Sequence, residues 1–156
     1  PVERERARQQ HDGRDLASAS NQPRPPHAPV APGIHAMSSG AFDAPWPKST
    51  FATRALEAWI NACPAGGTDA GETPDIEPLF AALADRGIAP DADLPDTGVG
   101  IELERTLSPP FVLDERYGTR CSSIVLGGED GILFAERRFN SAGEVTGEAS
   151  TVLPVD

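Results

Sequence analysis

Cysteine is nearly absent from this sequence. Cys63 and Cys121 are its only two, far apart, in no Cys-x-x-Cys spacing and with no histidine beside either. A disulfide framework and a cysteine-based zinc site are thereby excluded, and a reducing, cytoplasmic setting is expected. Basic residues are also scarce: 13 against 24 acidic give a net charge of −11, a field that repels phosphate backbones and anionic membrane surfaces. Nucleic acid is therefore not expected as a partner. No apolar run reaches the roughly 18 residues of a membrane-spanning helix, and the polar residues 1–10 lack the apolar stretch of a secretory signal. Hydrophobic residues make up only 38% of the 156 positions while proline and glycine number 16 and 15, so the packed core is smaller than the length implies.

What is present divides into three parts. Residues 1–17 are dominated by Arg, Glu, Gln and Asp with almost no large apolar side chain, and are expected to be a disordered polar segment. Residues 18–48 carry the prolines Pro23, Pro25, Pro26, Pro29 and Pro32, which fix φ and remove backbone donors; they read as an extended strap and turn. Residues 49–156 hold the domain proper. Ser49 or Thr50 can cap a helix with Phe51, Ala55, Leu56, Trp59 and Ile60 on one face, ending at Cys63 before Pro64. Thr73, Pro74 and Gly87 delimit a second helix striped with Ile76, Leu79, Phe80 and Leu83. A third is predicted over 97–107, weakened by Gly98 and Gly100 and stopped by Ser108-Pro109-Pro110. From Thr119 the texture turns β-branched and aromatic, predicting strands over 121–126, 132–139 and 144–150 in an antiparallel meander. Helices followed by strands make an α+β fold.

Few residues carry chemistry. Trp46 lies between two prolines in the run from Asp43 to Lys48, a stiff turn that holds the indole in one place. Lys48 beside it is reactive only where burial or a neighbour lowers its pKa. Tyr117-Gly-Thr-Arg120 leads into the first strand of the meander, where Arg120 serves either as a turn brace or as a five-donor clamp for a carboxylate. Arg137 alternates in direction with its neighbours and is expected to find a carboxylate. His35, like His11 and His27, stands without an acidic or cysteine partner nearby, which argues against metal binding. Cys121 is expected to pack as a small apolar residue.

Ser20-Asn21, Gly33-Ile-His-Ala-Met-Ser38, Asp43-Ala-Pro-Trp-Pro-Lys48, Leu94-Pro-Asp-Thr-Gly98, Ser108-Pro-Pro-Phe111, Tyr117-Gly-Thr-Arg120 and Glu136-Arg-Arg-Phe139 together resemble, in order and spacing, the NRDE family, also called the Transport and Golgi organisation 2 family. The resemblance spans residues 18–153. It implies a partial αββα sandwich like that of the N-terminal-nucleophile hydrolases, whose first-residue Cys attacks with its own amine as base. The family's Cys and its Asn-Arg-Asp-Glu signature belong to the start of the full protein and are not found here, so this chain is expected to be its C-terminal part and inactive alone. Ser38-Ser39 stands where the family usually reads Ser-Asn, and Cys121 is a substitution of this chain, not the family nucleophile.

The residues carried over by position are Asn21, Ser38, Asp43, Trp46, Lys48, Tyr117 and Arg120. The family is implicated in haem trafficking and Golgi organisation, which implies haem or another small amphipathic molecule as a candidate ligand; His35, Met37 and Tyr117 are the plausible donors for axial ligation of an iron. Hydrolysis of a C–N amide by the complete protein is the alternative. A sheet left uncovered on one side also implies self-association through its edge.

Overall fold

The structure is a computed structural model, and it describes residues 16–19, 27–63, 74–128 and 131–154. The chain divides into two compact units, Pro1–Gly33 and Ile34–Asp156. In the first, strands β1 (Leu16–Ala19) and β2 (His27–Val30) pair antiparallel, with Ala17 opposite Pro29. Leu16 and Ala17, expected in a disordered segment, are thus paired. A two-stranded ribbon has an open side on each strand, so it can hold a proline that brings no donor to the ladder.

The second unit runs α1 (Pro47–Ala62), α2 (Glu77–Leu83), a short 3-10 turn (Asp91–Asp93), α3 (Ile101–Leu107), then β3 (Cys121–Gly127), β4 (Ile132–Phe139) and β5 (Val145–Leu153). It is an α+β arrangement of helices and an antiparallel sheet in the order β3-β4-β5. Each helix starts later or earlier than its sequence suggests, always because of proline or glycine. α1 opens at Pro47, whose fixed φ suits the first helical position, with Trp46 extended ahead of it. Ser49 and Thr50, expected as caps, lie inside, and the Thr53 hydroxyl donates back to the Ser49 carbonyl at 3.0 Å. α2 begins at Glu77 and not at Pro74, because a helix opened at Pro74 would need an N–H from Pro78 one turn on. α3 begins only at Ile101, since Gly98 and Gly100 take left-handed φ of 82° and 87°.

The core lies between the helices and one face of the sheet. Leu79 and Phe80 of α2 meet Ile124 and Ala135, with Leu56, Trp59, Ile76, Leu83 and Leu126 packed around them. The stripe predicted for α2 is the one observed. On α1, Leu56 and Trp59 turn inward as expected, whereas Phe51 and Ile60 are 41% and 47% exposed and belong to the outer side. The register Ile124 to Ala135 to Ser150 puts Ser122, Leu126, Leu133 and Arg137 on that inner face as well.

Arg137 finds its carboxylates: it pairs with Glu77 at 2.5 Å and Glu148 at 2.6 Å while its guanidinium lies 4.3 Å over the Phe80 ring. A second buried point is Phe111, edge-on to Phe139 at 4.8 Å with Arg86 over its ring at 4.6 Å. Cys121 opens β3 on the opposite face and is exposed, not packed, because its strand position points away from the helices. Val125 and Leu153, on that same outer face, are also more than half exposed.

Truncating Phe80 removes the side chain at which helix, sheet and Arg137 meet. Phe80→Ala is expected to cost about 3–5 kcal/mol in urea denaturation; a loss below about 1 kcal/mol would place the core elsewhere.

Candidate functional site

The segment ahead of α1 folds around one carboxylate. Asp43 adopts a left-handed φ of 58°, which Asp tolerates better than most residues. Its N–H donates to the Ala36 carbonyl at 2.9 Å, its Oδ1 accepts the Ala36 N–H at 2.9 Å, and its Oδ2 meets His35 Nδ1 at 2.7 Å. Residues 36 to 43 are thereby closed from both ends. His35 therefore has an acidic partner after all, eight positions away and invisible until the turn forms. Its hydrogen bond, helped by the Ala36 N–H, holds the Asp43 carboxyl below the usual range. Phe42 stacks on His35 with ring centres 5.3 Å apart. Gly40 lies against the Trp46 indole so closely that an added Cβ would fall 2.4 Å from Cζ2. Pro45 and Pro47 then fix the indole from both sides.

This turn and the first half of α1 form a cleft of about 270 Å³ whose walls include His35, Met37, Ser38, Leu56, Leu83 and Pro110. A second cleft, of about 230 Å³, is walled by Trp46, Pro95, Val99, Glu104 and Leu107 among others. Lys48 lines both. It is half-buried, and its ammonium donates to the Leu107 carbonyl at 3.1 Å. Burial pushes its pKa below the ordinary 10.5, and the nearby Glu104 carboxylate works against that shift. Lys48 thus meets the condition set by its chemistry: a lysine whose charge is disfavoured by its surroundings. Glu104 is itself buried, and its Oε1 accepts both the Thr97 N–H at 2.8 Å and the Thr97 hydroxyl at 2.5 Å.

Of the residues singled out from sequence, Ser38 and Lys48 line the first cleft, Trp46 and Lys48 the second, and Asp43 holds His35 in place. Tyr117 and Arg120 line neither cleft. Tyr117 is 66% exposed in a turn closed by a bridge between Leu113 and Gly118, and Arg120 contributes its carbonyl, which accepts the Phe139 N–H at 2.8 Å. Asn21 lies outside the described residues. Sequence reasoning missed Glu104 and Thr97. One signal was available, an acidic residue in the first turn of α3 with a threonine just ahead of the glycines, but only the left-handed glycines bring the two together. Among the described residues no group of three or more His, Cys, Asp or Glu side chains is placed to hold a metal ion, and no helix is long and apolar enough to cross a membrane.

The Asp43 turn is testable by substitution. Asp43→Asn keeps a side chain suited to left-handed φ and is expected to lower the melting temperature less than Asp43→Val, which strains the backbone and loses both hydrogen bonds. A carboxyl with a lowered folded pKa contributes stability above its ordinary value of 3.8 that is lost as pH falls through the lowered one. The gap between the wild type and Asp43→Asn should accordingly narrow below that pH in thermal melts. Equal melting temperatures for the three proteins at neutral pH would refute this account of the turn.

No curated protein and no solved structure matches this chain. A family model described as Transport and Golgi organisation 2 matches residues 6–141, most of its length and all the elements that build the two clefts. The chain belongs to the Transport and Golgi organisation 2 family.

Proposed function

We propose that the first cleft binds one end of an amphipathic carboxylate, with haem as the ligand that suits it best, in a protein of the cytoplasm. The observation that carries this reading is Lys48, a half-buried ammonium on an apolar cleft with one of its three donors engaged, by the Leu107 carbonyl. Its desolvation is already met in the folded protein, so a ligand carboxylate gains an attraction that an exposed lysine would lose to water. Met37, Leu56, Leu83 and Pro110 offer the apolar surface for the rest of the molecule. At about 270 Å³ the cleft lies just under the roughly 300–1,000 Å³ of sites that enclose a drug-sized ligand, so it holds an edge and leaves the remainder over its mouth.

For haem, the propionates would face Lys48 and the ring would lie toward Met37, which is 74% exposed. Met37 is a donor type that iron accepts, and His35, held by Asp43, stands at the same cleft. The residues present fit the group.

The family resemblance supports a wider frame, the αββα sandwich of the N-terminal-nucleophile hydrolases, in which a second sheet covers the exposed Val125 and Leu153. Amide hydrolysis belongs to that frame as the second reading. Cys63 closes α1 and Cys121 opens β3, and neither lines a cleft, so neither is the nucleophile of that reading, to which these clefts would contribute a substrate wall.

Titration with haemin, followed at the Soret band, tests the first reading. A saturable shift is expected, Lys48→Met should weaken it at least about tenfold, equivalent to about 1.4 kcal/mol, and Met37→Ala should move the band itself. A lysine with a depressed pKa loses its charge at lower pH than usual, so affinity should fall in the alkaline range before the ordinary 10.5 is reached. The reading fails if haemin and a long-chain fatty acid both go unbound, or if Lys48→Met binds them as the wild type does.

A further inference from the structure

The second cleft differs from the first in its polar end. Lys48 and Glu104 both line it, an ammonium and a carboxylate that influence each other electrostatically without closing into an ion pair. Neither is saturated. Lys48 gives one hydrogen bond, to the Leu107 carbonyl, and keeps two donors. Glu104 receives both of its hydrogen bonds on Oε1, from Thr97. Its Oε2 carries none, and no polar side-chain atom among the described residues is at once sealed from solvent and without a partner, so this oxygen keeps some contact with solvent at the cleft although the residue is only 6% exposed. The Thr97 bonds lock the carboxylate in place, and the buried setting strengthens any charge that meets it.

The rest of the cleft is apolar. Trp46, fixed by its flanking prolines and by Gly40, forms one wall, with Pro95, Val99 and Leu107 beside it. At about 230 Å³ the cleft is smaller than the roughly 300–1,000 Å³ of sites that enclose a drug-sized ligand, which suits a small molecule.

A fixed ammonium and a fixed carboxylate that do not touch, next to an aromatic wall, are complementary to a molecule carrying the same two charges in reverse. We propose that this second cleft binds a zwitterionic α-amino acid with a small apolar side chain, its carboxylate on Lys48, its ammonium on Glu104 Oε2 and its side chain against Trp46. A simple anion would meet Glu104 and a simple amine would meet Lys48, so each charge of the site rejects half of the alternatives. The inference goes beyond the first cleft and does not need it to be occupied. Because Lys48 serves both, an amphipathic carboxylate and the amino acid compete.

Isothermal titration calorimetry on the whole chain decides the point. L-valine is expected to bind at millimolar concentration or below, while N-acetyl-L-valine, which has lost the ammonium, and L-valine amide, which has lost the carboxylate, should each bind at least tenfold more weakly. Glu104→Gln should weaken L-valine at least tenfold and erase its advantage over the N-acetyl derivative. The proposal is overturned if L-valine gives no binding heat, if either derivative binds as tightly as the free amino acid, or if Glu104→Gln leaves the discrimination intact. The ligand series uses unaltered protein, so it decides even where a substitution impairs folding. Haemin titration reads the first cleft and valine calorimetry the second, so the two readings fail separately.

Discussion

The contact on which this structure depends is the seating of Phe80 between the helices and the sheet. α2 spans seven residues, too few to hold a helix by its own hydrogen bonds, so its existence rests on what it packs against. Phe80 and Leu79 supply that packing against Ile124 and Ala135, and Arg137 lies over the Phe80 ring while tied to Glu77 at the start of the same helix. α1 joins through Leu56 and Trp59, whose indole N–H donates to the Asp75 carbonyl at 2.7 Å, just ahead of α2. Leu56 and Leu83 then serve twice, as part of this packing and as walls of the first cleft. The cleft is a consequence of the core and keeps its shape only while Phe80 stays seated.

Lys48 is the residue placed against its own preference. It sits in the first turn of α1, where the helix dipole favours negative charge, and it is half-buried besides. The Leu107 carbonyl and the neighbouring Glu104 offset part of that cost. A cation held in so unfavourable a place gains more from an incoming carboxylate than an exposed one does, which is the common physical ground of both clefts. The same reasoning explains why Arg120, free of burial, is a weaker candidate despite its richer set of donors.

Much of the fold was legible along the chain. The meander is legible because β-branched and aromatic runs alternate with Gly-rich turns from Cys121 onward, and the stripe on α2 because Ile76, Leu79, Phe80 and Leu83 recur at helical spacing. Helix starts were misplaced where two local signals competed: Ser49 is a good cap, but Pro47 is a better first residue, and Pro78 overrules Pro74. On α1 hydrophobicity alone assigned Phe51 and Ile60 to the buried face, whereas the partner helix reaches only the side bearing Leu56 and Trp59. The pairing of His35 with Asp43 escaped notice because it depends on a left-handed residue at position 43, a backbone state that side-chain pattern does not announce.

By itself, then, the sequence determined the class of fold, the order of its elements, the strong acidity and the motif from Asp43 to Lys48, because each of these is written in local periodicity, charge or proline placement. Only the tertiary structure decided which of the chemically capable residues stand together. Burial and distance are properties of packing, and packing is what brought Lys48 to Glu104 across 56 positions while leaving Tyr117 and Arg120 away from both clefts.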